Sequence, residues 1–167
     1  MPRKTRKVTL GPGVCDGCGK CVEACLKAAP NKQGRGMKKI AGIKILKSES
    51  AYVPVICRNC EDAPCVTACM SGCRQRNGKG WVVTDYRRCV GCWMCIMSCP
   101  FGAIEREKGE NIALKCEGCV DKDVPPCVAA CESGILDNRD TQSLSHALRK
   151  MAAARFLTGE NEDTSRP

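Results

Sequence analysis

CVGCWMCIMSCP, residues 89–100, decides how this chain is read. Four cysteines fall at C-x₂-C-x₂-C-x₃-C, and Pro100 closes the run. This is the spacing that holds an iron–sulfur cubane, and it has a mechanical reason. Cys89, Cys92 and Cys95 sit on one tight loop that wraps a single cube, each thiolate reaching a different iron. Cys99 lies one helical turn beyond Cys95, a rise of roughly 6 Å. In two-cluster proteins the fourth cysteine of such a run ligates the other cluster, so one run implies a second.

The sequence supplies three more. Cys15, Cys18, Cys21 and Cys25 repeat the compact spacing. Cys57-x₂-Cys60-x₄-Cys65-x₃-Cys69 and Cys116-x₂-Cys119-x₇-Cys127-x₃-Cys131 share a longer middle interval and the endings Pro64–Cys69 and Pro126–Cys131. The order short, long, short, long reads as a duplicated two-group unit. Aligning the groups on their fourth ligands puts Ala29, Cys73, Ala103 and Ile135 in equivalent positions. Three of these cannot bind iron, so Cys73 is expected to be a small buried residue beside a cluster and not a ligand.

Composition tests two other readings of the cysteines. Seventeen in 167 residues is about a tenth of the chain, and aromatic residues make up only 4%. A disulfide scaffold needs an oxidising compartment. The odd cysteine count and an N-terminus, MPRKTRKVTLGPG, without an apolar stretch argue against one. Four-cysteine zinc sites also use C-x₂-C pairs but separate two of them by a long spacer. A zinc-binding basic nucleic-acid module is therefore the rival from another class. The formal charge of +9 would suit it, yet four [4Fe–4S]²⁺ cores with their thiolates would bring about −8, leaving the holo-protein near +1. The basic excess reads as compensation for cluster charge, and no nucleic-acid partner is expected. No run of 18 or more apolar residues predicts a membrane span.

Between the groups the pattern predicts short elements. Lys7–Leu10 reads as a strand, residues 26–39 as a loop, and Ile40–Leu46 with Ala51–Ile56 as a hairpin. Residues 74–80 read as a turn, Trp81–Asp85 as a strand, and Phe101–Glu107 as a strand partnered by Ile112–Lys115. Asp140–Leu157 places Leu144, Leu148, Met151 and Phe156 at near-helical intervals behind Asp140 or Thr141 as N-cap, predicting an amphipathic helix. Residues 158–167 read as a polar, mobile tail.

These sixteen cysteines, in register over residues 15–135, resemble the polyferredoxin-type electron-transfer subunits. Such subunits accompany molybdenum- and tungsten-pterin oxidoreductases, carbon monoxide dehydrogenase and formate-linked hydrogenases. The resemblance implies an α+β fold of two pseudo-symmetric bacterial ferredoxin-like dicluster units with a C-terminal helix. One unit takes residues 1–56 plus 108–139, including a hairpin insertion at 26–56, and the other takes 57–107. The helix at 140–157 and the tail at 158–167 follow. It also implies nested ligation. Cluster 1 would use Cys15, Cys18, Cys21 and Cys131, and cluster 2 Cys25, Cys116, Cys119 and Cys127. Cluster 3 would use Cys57, Cys60, Cys65 and Cys99, and cluster 4 Cys69, Cys89, Cys92 and Cys95. The spacing alone supports only ligation between groups; a tandem pairing fits it equally well. Leu26, Met70 and Glu132 stand where the family often has the proline seen at Pro100.

Other residues take supporting parts. Glycines 17, 19, 91 and 118 let the loops bring N–H donors close to sulfur. Trp93, Met94 and Met97 would exclude water from the third group or simply pack. Arg87 and Arg88 read as solvated charge or as cations that raise the potential of the adjoining cluster. Lys32, Arg35, Lys38, Lys39, Lys44 and Lys47 form a basic stretch suited to an acidic docking partner or to a solvated loop. His146 has no second histidine, which removes Rieske and haem ligation. No nucleophile–base pair, nucleotide loop or hydrolase signature occurs. The expectation is a non-catalytic, cytoplasmic redox subunit in a hetero-oligomer. It would pass single electrons between a catalytic subunit, a tungsten or molybdenum pterin aldehyde oxidoreductase or formate dehydrogenase, and a second redox protein. Carbon monoxide dehydrogenase or a hydrogenase is the alternative partner.

Overall fold

Loops that must wrap ligands at short intervals leave little chain for regular structure, and the elements are correspondingly brief. The computed structural model describes residues 8–11, 13–28, 40–107 and 109–158. In chain order the elements are β1 (Thr9–Leu10), α1 (Lys20–Ala28), β2 (Ile43–Lys47), β3 (Tyr52–Ile56), α2 (Pro64–Thr67), β4 (Arg74–Arg76) and β5 (Val82–Thr84). They continue with α3 (Met94–Met97), β6 (Ile104–Glu107), β7 (Ile112–Lys115), α4 (Pro126–Ala129), β8 (Leu136–Asp137) and α5 (Thr141–Thr158). The mixture is α+β. Both α2 and α4 begin at a proline, whose fixed φ suits the first helical turn and whose missing N–H costs nothing there.

The described strands pair antiparallel, two by two. Three pairs are local: β2 with β3, β4 with β5, and β6 with β7. The fourth joins the two ends of the cysteine region, setting Thr9 opposite Asp137 and Leu10 opposite Leu136. The helices pair in the same nested way, α1 against α4 and α2 against α3. Val8, Ile43, Ile56 and Leu136 gather around Cys21 and Cys127 at one end. Ile104 and Ala113 gather around Cys95, with Tyr86, Ile112 and Leu114 beside them. The whole of β7 is buried, the charged Lys115 included.

Several sequence expectations shift. Residues 74–80 are not simply a turn, because Arg74–Arg76 pairs with Val82–Thr84 and the turn is confined to Asn77–Gly80. Polar composition hid this strand, whose first arginine is buried. Of the loop expected at 26–39, residues 26–28 belong to α1 instead; residues 29–39 lie outside the described residues, as do Lys7 and the 159–167 part of the tail. The strands predicted from Ile40, Ala51 and Phe101 start at Ile43, Tyr52 and Ile104.

The predicted C-terminal helix forms and is capped by Asp140, whose Oδ1 accepts from the N–H groups of Gln142 (3.1 Å) and Ser143 (3.0 Å). It does not lay an apolar stripe on the body. Leu148 and Met151 are exposed, and Phe156 and Leu157 stand 85% and 88% open to solvent.

Candidate metal centre

Each cysteine group opens with the same backbone device. The residue two places after the first cysteine is left-handed in all four groups: Gly17 (φ 76°), Asn59 (46°), Gly91 (68°) and Gly118 (82°). In the second and fourth groups this turns the amide of that residue back onto the first sulfur. The N–H of Asn59 donates to Cys57 Sγ at 3.4 Å, and that of Gly118 to Cys116 Sγ at 3.3 Å. Asn59 was not singled out from the sequence, although asparagine tolerates this conformation best after glycine and its register marks the position. Its side chain is buried, accepting from Val82 N at 2.7 Å and donating to Gly80 O at 3.3 Å.

The helix pairs bring the cysteines of different groups face to face. Cys21 lies in the first turn of α1 and Cys25 one turn later; Cys127 lies on α4 and Cys131 follows it. A narrow cleft of about 10 Å³ is lined by Cys15, Cys18, Cys21 and Cys131 together, with Ile45, Pro54 and Leu136 closing it on the apolar side. Cys25, Cys116 and Cys119 line a second space beside Gly42. Burial pushes the Cys127 thiol up to about 12, helped by the neighbouring Cys116, Cys25 and Cys119. Gly42 donates its N–H to Cys25 Sγ at 3.2 Å, and a β-carbon there would stand 2.7 Å from Cys116 Cα. No larger residue fits between those two cysteines.

Cys65 on α2 is raised by burial, with Cys57 and Cys99 adding to it. Cys69 and Cys73 stand 3.4 Å apart, sulfur to sulfur, and Cys89 lies close enough to act on Cys73. Burial, then Cys69, pushes the Cys73 thiol up to about 12, while Cys69, in spite of burial, is drawn down to about 7 by the amide of Arg74 and by Cys73 and Ser71. Cys95 is buried on α3; Cys60 is half-buried and Cys92 exposed on their loops.

All seventeen sulfurs are free thiols. Among the described residues no three Cys, His, Asp or Glu side chains converge on one ion. A cubane does not ask for such convergence, because its four irons hold the sulfurs apart. Buried thiols such as Cys21, Cys65, Cys116 and Cys127, pushed up by burial and by neighbouring thiols, suit a cationic inorganic core, which favours their ionised form. One further atom fits. Arg74 Nε is the one buried side-chain donor among the described residues with no acceptor in the protein. The residues therefore fit an iron–sulfur cubane.

Residues 48–141 match the family described as the 4Fe-4S dicluster domain. The chain belongs to that family. A ferredoxin of Methanocaldococcus jannaschii is 34% identical over 145 residues, covering 86% of this chain and 78% of its own. The electron transport protein HydN of Escherichia coli is 32% identical over 165 residues, covering 85% and 94%. The beta subunit of an NADH-dependent phenylglyoxylate dehydrogenase from Aromatoleum evansii is 32% identical over 149 residues, 86% of this chain but 32% of that longer protein. The chain carries [4Fe–4S] clusters and is an iron–sulfur electron-transfer protein of the kind found as oxidoreductase subunits.

Some expected helpers lie elsewhere in the chain. Met94 and Met97 do not seal the third group; Met97 is 71% exposed, and only Trp93 is half-buried, with Arg106 stacked 4.6 Å over its ring. Arg87 and Arg88 are exposed, the first beside Asp85 and the second donating to Ser71 O at 3.0 Å. Lys44 is paired with Glu105, and Lys47 is exposed. Lys32, Arg35, Lys38 and Lys39 lie outside the described residues. His146 is exposed on α5. No described helix is long and apolar enough to cross a membrane.

Proposed function

We propose that this chain holds four [4Fe–4S] clusters in two pseudo-symmetric dicluster units and relays single electrons between a catalytic oxidoreductase subunit and a second redox protein. Cluster 1 takes Cys15, Cys18, Cys21 and Cys131; cluster 2 takes Cys25, Cys116, Cys119 and Cys127. Cluster 3 takes Cys57, Cys60, Cys65 and Cys99; cluster 4 takes Cys69, Cys89, Cys92 and Cys95. The nested packing of α1 on α4 and α2 on α3 carries this reading, because a tandem pairing would join α1 to α2 instead.

Each cluster, when bound, takes up and returns one electron. The chain's own part is to hold and to tune. Inward amides at Asn59, Gly42 and Gly118 donate to sulfur and favour added negative charge, while Ile45, Ile56 and Leu136 keep water from the outer sulfurs. The chain itself performs no bond chemistry in this role. The cytoplasm is the compartment this reading assigns, since the ligands must stay reduced thiolates.

The catalytic partner is assigned to the tungsten or molybdenum pterin class, of aldehyde oxidoreductase or formate dehydrogenase type. Relatives named as a phenylglyoxylate dehydrogenase subunit and a thiosulfate reductase electron transfer subunit support a partner of oxidoreductase type. Anaerobic purification tests the reading. Brown protein with about sixteen irons per chain, bleaching on reduction by four electrons and arriving with a pterin-containing chain, is the expected result. Colourless protein holding zinc would end it.

A further inference from the structure

Arg74 is 2% exposed and meets no carboxylate among the described residues, although a guanidinium is always charged. Its two oxygen acceptors are both neutral, and its remaining polar neighbour is the Cys95 thiol. Nη1 donates to Thr84 Oγ1 at 3.0 Å and Nη2 to Ala113 O at 2.9 Å, while Nε finds none. A buried cation with neutral partners alone is strongly disfavoured, so its counter-charge must come from something else at the same place. What surrounds it is sulfur. Its side chain lies within electrostatic reach of Cys95 and Cys65, and its own backbone amide serves Cys69.

The repeat isolates this residue. Strands β4, β6 and β8 each begin five residues after the last cysteine of a group, at Arg74, Ile104 and Leu136. The amide of Leu136 serves Cys131 as that of Arg74 serves Cys69. The backbone duty is repeated; the charge is not. Ile104 and Leu136 are buried and apolar.

We propose that Arg74 sets reduction potential: its buried guanidinium is the shared counter-charge of the two inner clusters, those using Cys65 and Cys95, and raises the potential of both. The inference rests on the four-cluster reading above. A reduced cluster carries one more negative charge than an oxidised one, so a fixed cation facing it favours reduction. One cation between two clusters also eases the arrival of a second electron beside the first, keeping the inner pair usable as adjoining steps. Lys115 is a second buried cation without a carboxylate, bonded to the carbonyls of Val82 and Cys116, and lies between the inner and outer groups. It is not a substitute for Arg74, being tied to the last strand before the fourth group.

The test uses the full chain, purified anaerobically, as wild type, Arg74→Met, Arg74→Gln and Arg74→Lys. Iron is counted, and reduction is followed by visible bleaching and electron paramagnetic resonance against applied potential. Methionine suits the site because its equivalents are apolar. In the neutral variants two of the four electrons should enter with an equilibrium at least about tenfold less favourable, or about 59 mV lower for one electron. The other two should not move, and Lys should restore the wild-type curve. Loss of about half the iron in the neutral variants, recovered with Lys, also supports the proposal. Unchanged curves with full iron, an equal shift of all four electrons, or the same shift or iron loss with Lys would each overturn it. A wild-type chain without about sixteen irons removes the four-cluster reading first, and this inference with it.

Discussion

Cys69 and Cys131 close their groups on one backbone and in two electrical environments. Both follow a short helix that opens on proline, Pro64 or Pro126. Both have a serine two residues on, with Ser71 Oγ at 3.7 Å and Ser133 Oγ at 3.5 Å from the sulfur. Both are drawn down, against burial, by amides four and five residues further along the chain. The side chains borne by those amides differ. The inner group has Cys73 and Arg74; the outer has Ile135 and Leu136. The setting of the last sulfur is thus a main-chain property repeated intact in both groups, whereas the local field is a side-chain property that two positions suffice to change.

Stripping the iron should have the largest effect and should erase the comparison altogether. With thiols in place of clusters, both halves lose the ties that hold such brief elements, and circular dichroism should show most helix lost except in α5. Retention of β4 to β7 without metal would show that the inner half has a core of its own. Removing one ligand at a time sharpens the contrast. Cys131→Ala should cost about four of sixteen irons from the outer half, and Cys69→Ala a like number from the inner, each read by iron analysis. Cys73→Ala should cost none. It should lower stability by only about 1 kcal/mol, as for a small buried group, in denaturant unfolding of the holo-protein.

Two left-handed loop residues give a subtler pair. Asn59→Ala leaves two buried backbone groups without partners and puts a residue less tolerant of positive φ than asparagine there, and should cost about 2–4 kcal/mol. Gly19→Ala, at φ 75° with nothing within 4 Å, should cost only the conformational part, about 1–2 kcal/mol. Equal losses would mean that Asn59's side chain contributes nothing beyond its turn.

The smallest effect is pH-dependent and is read at Asp137 in the outer half, Asp85 beside Arg87 being its more exposed counterpart in the inner one. Arg139 beside Asp137 holds that carboxyl below its usual range, Nε to Oδ2 being 2.6 Å. A lowered folded-state pKa stabilises the protein above the ordinary carboxylate value and stops doing so as pH falls through the folded one. Asp137→Asn should therefore lower the melting temperature slightly at neutral pH. The difference should close below about pH 4.

Cysteine spacing made the metal chemistry legible because ligand geometry leaves few alternatives. The same spacing could not announce Arg74–Arg76 as a strand. RQRNGKG has the polarity of a turn, and what stabilises a buried arginine there is sulfur that sequence patterns treat as neutral. Asn59 escaped for a related reason: glycine filled that position in the other three groups, and its substitute was visible only in register. The helix at Thr141–Thr158 was legible in its cap and length, but local periodicity says nothing of whether a body lies within reach. Met97 shows the converse, an apolar residue beside a cysteine that points outward.

The antiparallel contact of Thr9 with Asp137 has a consequence for synthesis. Strand β1 finds its mate only when the whole cysteine region has emerged from the ribosome, whereas β4 to β7 meet within a short span of chain. Under the nested ligation proposed above, maturation runs from the middle outward. The opening cysteines wait, exposed to oxidants and to premature metal capture, until the last group is delivered, and a nascent chain stalled before Asp137 would leave its oldest thiols the least protected.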